Sequence, residues 1–524
     1  MTTTSTSKRD RQRLPLAGPL AKADLLGPAT LPVYLSPPPP PPSLDPAVAR
    51  IVGARLPLAE ASLLLLDHVT QDRFLRGVFD RYRGTSYEKL ITFPLFVRLI
   101  SDALLEHDAV ARQSFLRAHE DGALQASLAA AYGKLARVPI VLSEGLLLES
   151  SRRLLGLFPP AAATPIPASL AGMNLIAVDG KKIKHVARRL KATRNTLGQL
   201  FGGKIVAALS INTRLALALA ADPDGEVSDT PLLPKTLRQA RQVVPGVRLW
   251  IADRLFCDLE QPPLFSVEGD HFIIRYNARV SFHRDEDRPT RSGKTAQGKT
   301  YVEEWGWIGT AKDKRRRYVR RVTLLRPGHP EGDVSVLTDL LDAERYPAAD
   351  ILDAYLLRWE VENCFQRITE VFALRRLIGG TPEATVYQAS FCLLLYNVVT
   401  IVRGYVAEGA GKEAEDISLE ELFKDVERQL ISWSEVFTLE ETVGLLQNWP
   451  AALLTKRLQQ LLGGAYLERW QKTTGSGKVK GNQPKVYPKG GHTSVYRLLR
   501  EARQAKTSRP SREVAIKGQD KLPP

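Results

Sequence analysis

The chain has 524 residues, a length that excludes a small single domain, and 73 Lys and Arg against 57 Asp and Glu, a formal net charge of +16 that points to a polyanionic partner. Three cysteines at unrelated spacings, Cys257, Cys364 and Cys392, exclude a disulfide frame or a zinc knuckle and fit a reducing compartment. No signal-like apolar segment and no apolar run of about 18 residues is visible, which predicts a cytoplasmic, nucleoid-associated protein without membrane contact.

In chain order, residues 1–47 are polar and then proline-rich, ending in the run Pro37 to Pro42, and read as a disordered leader. Residues 48–165 carry helical apolar spacing, as in Leu63, Leu64 and Leu65 with Val69 and Phe74, and predict a small helical domain. A Pro- and Ala-rich stretch, Pro159 to Pro167, reads as a linker into a second domain at 166–407. That domain opens on Asn174 to Val178, a buried-strand pattern that ends at Asp179-Gly180. Two β-like runs follow, Lys204 to Ile211 and Arg214 to Ala221, joined as a hairpin through Asn212-Thr213. Leu232 to Val244 is spaced as a helix, Val247 to Ala252 as a strand ending at Asp253, and His271 to Tyr276 as a fifth strand.

Residues 277–350 interrupt this order with β-formers and cations. Tyr301 to Ile308, Arg317 to Leu325 and Val334 to Leu337 predict strands of an inserted sheet. A long amphipathic helix is then expected over Ala348 to Leu374. The expected fold is α/β: a mixed sheet whose order of three strands, helix, strand, helix, strand resembles ribonuclease H, with a β-strand insertion, a helical N-terminal domain and a basic C-terminal tail. Residues 408–467 read as helical. Residues 468–524 read as a flexible basic tail, since from Arg469 onward 14 Lys or Arg face only Glu501, Glu513 and Asp520.

The chemistry follows from side-chain types. Asp179 and Asp253 each stand where a buried strand opens into a loop, a position at which α/β sheets expose functional groups side by side. Glu362 on the late helix makes a third carboxylate, and three carboxylates suit hard divalent cations in phosphodiester chemistry. For each acid alone, a surface or capping role is the plain structural alternative. At about 3.6 residues per turn, Tyr355, Arg358, Glu362 and Thr369 share one helix face. Arg358 can form an ordinary i,i+4 pair with Glu362 or hold a DNA phosphate.

The run Tyr355-Leu-Leu-Arg358-Trp-Glu-Val-Glu362 resembles the Tyr-Arg-Glu-Lys signature of DDE transposases of bacterial insertion sequences, in the insertion-sequence-four family, with Thr369 where the family has Lys. Leu337 to Leu341, Leu393 to Asn397, Asp179-Gly180 and Asp253-Arg254 match its flanks and its two Asp motifs, so the likeness runs from about Arg81 to about Val406. The resemblance implies Asp179, Asp253 and Glu362 as the catalytic, metal-binding triad, with Tyr355 and Arg358 on DNA. It also implies Mg²⁺ as cofactor with Mn²⁺ as substitute, cut-and-paste transposition at terminal inverted repeats of double-stranded DNA, strand transfer into target DNA, and a homodimer on DNA. A ribonuclease-H-like nuclease without strand transfer and a non-catalytic DNA-binding descendant are the alternatives, the second because Thr369 replaces the Lys and the candidate substitutes Arg367 and Arg375 both lie off the stripe.

Cationic runs suit a DNA path: Lys181, Lys182 and Lys184 to Arg194 after the first Asp, Arg254 after the second, and seven cations between Lys312 and Arg321. Trp305 and Trp307 are candidates for base stacking, with core packing as their bland alternative. His185 has no partner at metal-ligand spacing, and no Gly-rich phosphate loop supports a nucleotide cofactor.

Overall fold

A computed structural model describes residues 47, 51, 54–107, 109–184, 186–329, 332–372, 374–446, 449–472 and 491–507. Residues 1–46 of the expected leader, His185 and most of the expected tail lie outside these residues.

Ahead of the sheet, the described residues include α1 (Pro57–Thr70), α2 (Asp72–Tyr82), α3 (Phe93–Leu105), α4 (Ala111–Glu120), α5 (Leu128–Leu135) and α6 (Ile140–Leu155). The strands are β1 (Asn174–Ile183), β2 (Gln199–Phe201), β3 (Gly203–Ser210), β4 (Ala216–Asp222), β5 (Arg248–Ala252), β6 (His271–Arg275), β7 (Phe282–Arg284), β8 (Arg291–Lys294), β9 (Thr300–Ile308), β10 (Arg317–Leu324), β11 (Val334–Thr338) and β12 (His492–Ser494). Between and after them come α7 (Leu233–Val243), α8 (Pro262–Phe265), α9 (Ala348–Leu356), α10 (Trp359–Glu370), α11 (Pro382–Ala410), α12 (Leu419–Val436), α13 (Leu439–Leu446), α14 (Ala451–Leu462) and α15 (Val495–Thr507).

The main sheet has the order β4-β3-β1-β5-β6-β11-β10-β9-β7, with β8 also paired to β9. β1 is antiparallel to β3 and β3 to β4, whereas β1, β5 and β6 run parallel, a mixed sheet consistent with the ribonuclease-H-like expectation. The strands between 277 and 350 do not build a sheet of their own. β11 pairs antiparallel with β6, so this segment prolongs the same sheet from its parallel edge, and the short strands β7 and β8 join it on β9.

Both faces of the sheet are covered. Alternation along β1 sends Ile176 and Val178 to one face with α7 and Trp250, and Leu175 and Ala177 to the other, where α11 lies. α11 starts at Pro382 behind Thr381, whose hydroxyl accepts from the Ala384 amide, and stops at Gly411 in the left-handed region at φ 61°. It is long and apolar enough to cross a membrane by length and composition, contrary to the expectation of no such run, but the whole of its apolar window is buried inside the fold.

The N-terminal helices share this core with the sheet rather than forming a separate one. Asn397 of α11 donates to the Ala216 carbonyl and accepts from the Ala216 amide, both at 2.8 Å, and also donates to Ser151 of α6. The C-terminal helices close over α1: Gln429 of α12 accepts from the Leu58 amide at 2.8 Å, and Arg457 of α14 pairs with Glu60. Within the expected tail, β12 pairs parallel with β2, and Arg497 of α15 pairs with Asp224 and Glu226, so residues 491–507 are a docked strand and helix.

Asp270, just before β6, is a buried anchor. Its carboxylate accepts from the Arg241 and Arg248 guanidinium groups, the Arg248 amide and the Trp250 indole at 2.8–3.0 Å. Asp270→Ala removes, among the described residues, the only carboxylate paired with the half-buried Arg241 and leaves the buried Arg248 with the exposed Glu268 alone, and is expected to cost ~3 kcal/mol, read as a lower denaturant midpoint. A loss under about 1 kcal/mol would contradict this account.

Candidate active site

Sheet register fixes the first two acids. In the parallel β1–β5 pair, Val178 lies opposite Ala252, so Asp179 and Asp253 are the next positions on adjacent strands, where neighbouring backbones run about 4.8 Å apart. Asp179 is two residues past Ala177 and so faces α11's side of the sheet, where α9 and α10 also pack. The strand does not end at Asp179 as its sequence suggested. β1 continues antiparallel to β3 as far as Ile183, because the hydrogen bonds lost beyond β5 on one side are kept with β3 on the other. Gly180 points to the opposite face. A Cβ there would run into the Asp229 carboxylate, which is buried and paired with Lys204.

The third acid comes from a broken helix. The expected continuous helix over 348–374 divides into α9 and α10 at Leu357-Arg358, where the amides of Arg358, Glu360 and Val361 bond carbonyls three residues back. The tightened turn leaves Tyr355 and Arg358 buried, each 5% exposed, with Glu362 one turn further on.

Arg358 is the hub of the group. Its guanidinium lies 2.7 Å from a Glu362 carboxylate oxygen and 3.6 Å from one of Asp179, and its charge also acts on Asp253. One Asp253 oxygen is buried without a hydrogen-bond partner, as is the Arg358 Nε. Burial pushes the Asp179 carboxyl up to about 6; the Gly180 amide and Arg358 oppose this, and the charges of Glu362 and Asp253 add to it. Tyr355 is also raised, first by burial, with Arg358 opposing. Three carboxylates thus face one fixed cation, an excess of negative charge in hard oxygen donors that suits a divalent ion of the Mg²⁺ class. Among the described residues, no three His, Cys, Asp or Glu side chains converge closely enough to hold a metal, and in this cluster the Arg358 guanidinium lies between the acids. The fit is therefore in charge and donor type, with Arg358 in the place where positive charge is required.

The other candidates are distributed differently. Lys181 lies on the Asp179 face with its ammonium 5.5 Å from the Phe365 ring, whereas Lys182 points to the other side, 4.9 Å from the Phe201 ring. Arg254 is exposed in the turn after Asp253. The Thr369 hydroxyl donates to the Phe365 carbonyl at 2.7 Å, so its proton is engaged within the helix. Arg375 is exposed, and Arg367 turns into the interior, away from this site.

Trp305 does not offer a stacking face. It is 1% exposed, its indole donates to the Leu341 carbonyl at 2.9 Å, and Arg288 lies over its ring at 4.0 Å. Trp307 is half-buried, with Arg316 over its ring at 4.1 Å. Trp305→Ala is expected to cost ~3–5 kcal/mol in denaturant unfolding and Trp307→Ala clearly less; equal losses would refute this division. The cationic run at 312–321 is likewise partly consumed: Arg320 is buried on Glu303, Arg321 pairs with Glu304, and Arg315 with Asp313 and Glu260. Periodicity marks these strands but does not say which face meets solvent.

Comparison with family models matches residues 170–398 to the transposase DDE domain. The match spans β1 to β11 and most of α11, so it contains Asp179, Asp253 and the Tyr355–Glu362 segment. It supports a DDE transposase, an enzyme whose partner is DNA. Comparison with curated proteins gives no match.

Proposed function

We propose that the chain is a transposase of the insertion-sequence-four type, which cleaves DNA at terminal inverted repeats and joins the freed 3′ ends to target DNA. The observation that carries this reading is the gathering of Asp179, Asp253 and Glu362 around Arg358, inside the matched segment. Asp179, Asp253 and Glu362 would hold Mg²⁺, or Mn²⁺ in its place. When bound, such ions lower the pKa of the attacking water and neutralise charge at the departing 3′ oxygen.

The chain's own groups do the positioning. The two Asp backbones are fixed by a parallel strand pair, which limits their relative movement. Arg358 orients the Glu362 and Asp179 carboxylates and supplies a guanidinium that can pass from them to a DNA phosphate. Tyr355 closes the apolar side of the cluster, and Lys181 and Arg254 add positive charge beside the acids for the approaching backbone, whereas Lys182 faces away from them. A homodimer bridging two DNA ends, acting in the cytoplasm on the nucleoid, belongs to the same proposal.

The test is full-length protein with DNA carrying the element ends and Mg²⁺ or Mn²⁺. Nicks followed by joined products are expected. Nicks without joining favour a plain nuclease. A second reading, a non-catalytic DNA-binding descendant, draws on Thr369, whose hydroxyl is engaged with Phe365 instead of supplying the family's Lys; DNA binding with no metal-dependent nicking would favour it.

A further inference from the structure

On the far side of α10 from Glu362 lies a second charged cluster that the transposition site does not use. Arg403, on α11, is 1% exposed, and its Nε and Nη1 have no hydrogen-bond partner. Arg367, on α10, likewise has a buried Nη1 without a partner. Arg214, after the β3 turn, is buried, bonds Thr164 at 3.1 Å, lies 3.8 Å from Glu360 and pairs with Glu415. Lys472 is exposed at the edge of the cluster, with its ammonium on the Glu415 carbonyl. Their mutual influence places these groups together: Arg367 and Arg214 both act on Arg403 and on Lys472, and Glu360 acts on Arg214, Arg403 and Lys472.

The charges do not balance. Four cations face two carboxylates, Glu360 and Glu415, and Glu415 is about half exposed at 48%. Neighbouring weak acids do not close the gap. Burial pushes the Tyr396 hydroxyl up to about 12, so it stays neutral at ordinary pH. Arg403 is held down to about 9 by burial first and then by its arginine neighbours. Buried guanidinium groups are costly unless their N–H donors meet an acceptor, and the donors left over here belong to planar forks suited to two-point contact with an oxyanion.

We propose that this cluster is a binding site for a free tetrahedral oxyanion of the phosphate class, held by Arg214, Arg367, Arg403 and Lys472. The surplus of two positive charges matches a dianion. Arg403, 1% exposed, is too deep for the backbone of a duplex, and Lys472, which is exposed, brings the cluster to the surface on the side from which a small ion would approach. Once bound, the ion would tie α10 and α11 to the β3–β4 turn and to the C-terminal segment, bracing from behind the helix that presents Glu362. This does not depend on what the transposition site does.

The test is thermal unfolding of the full chain titrated with inorganic phosphate against chloride at constant ionic strength. A saturable rise in Tm is expected, with the apparent Kd weakened at least tenfold in Arg367→Gln and the rise enlarged in Glu360→Gln, which removes the internal competitor. If Arg367→Gln does not fold, Lys472→Gln at the exposed edge carries the same comparison, with at least a threefold weakening expected. No rise beyond chloride overturns the proposal. So does a full rise that persists in the variants, which would put the ion on the DNA-facing cations instead.

Discussion

Asp253→Asn is expected to lower metal-dependent nicking of end DNA by ~10³-fold or more, about 4 kcal/mol of transition-state stabilisation. The substitution keeps the shape of a side chain that follows a fully buried strand and has one oxygen already without a partner, so stability should change by less than about 1 kcal/mol. DNA affinity should hold or rise, since a negative charge leaves a surface that phosphates approach. Asp179→Asn and Glu362→Gln should be as inactive, but each also loses a partner of Arg358 and is expected to show a measurable fall in Tm. Quantifying nicked product at matched DNA occupancy separates catalysis from binding. Nicking by Asp253→Asn within tenfold of the parent would remove Asp253 from the reaction.

The three acids and their approximate settings were legible because short apolar runs mark the buried strands and because the Tyr-Arg-Glu spacing is local. What joined them was not. The adjacency of Asp179 and Asp253 follows from the Val178–Ala252 register, a pairing across 74 residues that no local pattern encodes. The end of β1 was misplaced because Asp179 to Lys182 are polar, although an antiparallel partner keeps them extended. The long helix was expected to be continuous because amphipathic spacing persists through Leu357-Arg358, and the turn that breaks it contains neither Pro nor Gly. The N-terminal helices were read as a domain because their own spacing is helical, but Ser151 and Asn397 tie them to the sheet edge through contacts distant in sequence. The fate of the cations was the least legible feature. Charge counts placed Arg320 on a DNA path, while cross-strand pairing with Glu303 buries it.

Arg358→Gln should separate the two duties of the central cation. Without its guanidinium, Asp179 and Glu362 lose their ion partner and Asp253 loses the nearby positive charge, in a site where the Asp179 side chain is 20% and that of Glu362 34% exposed. In EDTA the variant is expected to lose ~3 kcal/mol of stability, the lower end for breaking a buried ion pair because Glu362 is partly screened. Divalent metal should then replace the missing charge. An ion at 100 times its Kd returns about 2.7 kcal/mol, so saturating Mg²⁺ should bring the variant's Tm most of the way back. The parent should gain less from Mg²⁺, because there the ion has to displace Arg358 from the carboxylates before it can bind. Nicking should nevertheless remain well below the parent's even in Mg²⁺, as the guanidinium is then missing from the DNA phosphate. Differential scanning of both proteins with EDTA and with Mg²⁺ gives the four midpoints required. If Mg²⁺ raises the variant's Tm no more than the parent's, Arg358 is not standing where the metal goes, and the three carboxylates are an ordinary arginine-bridged cluster.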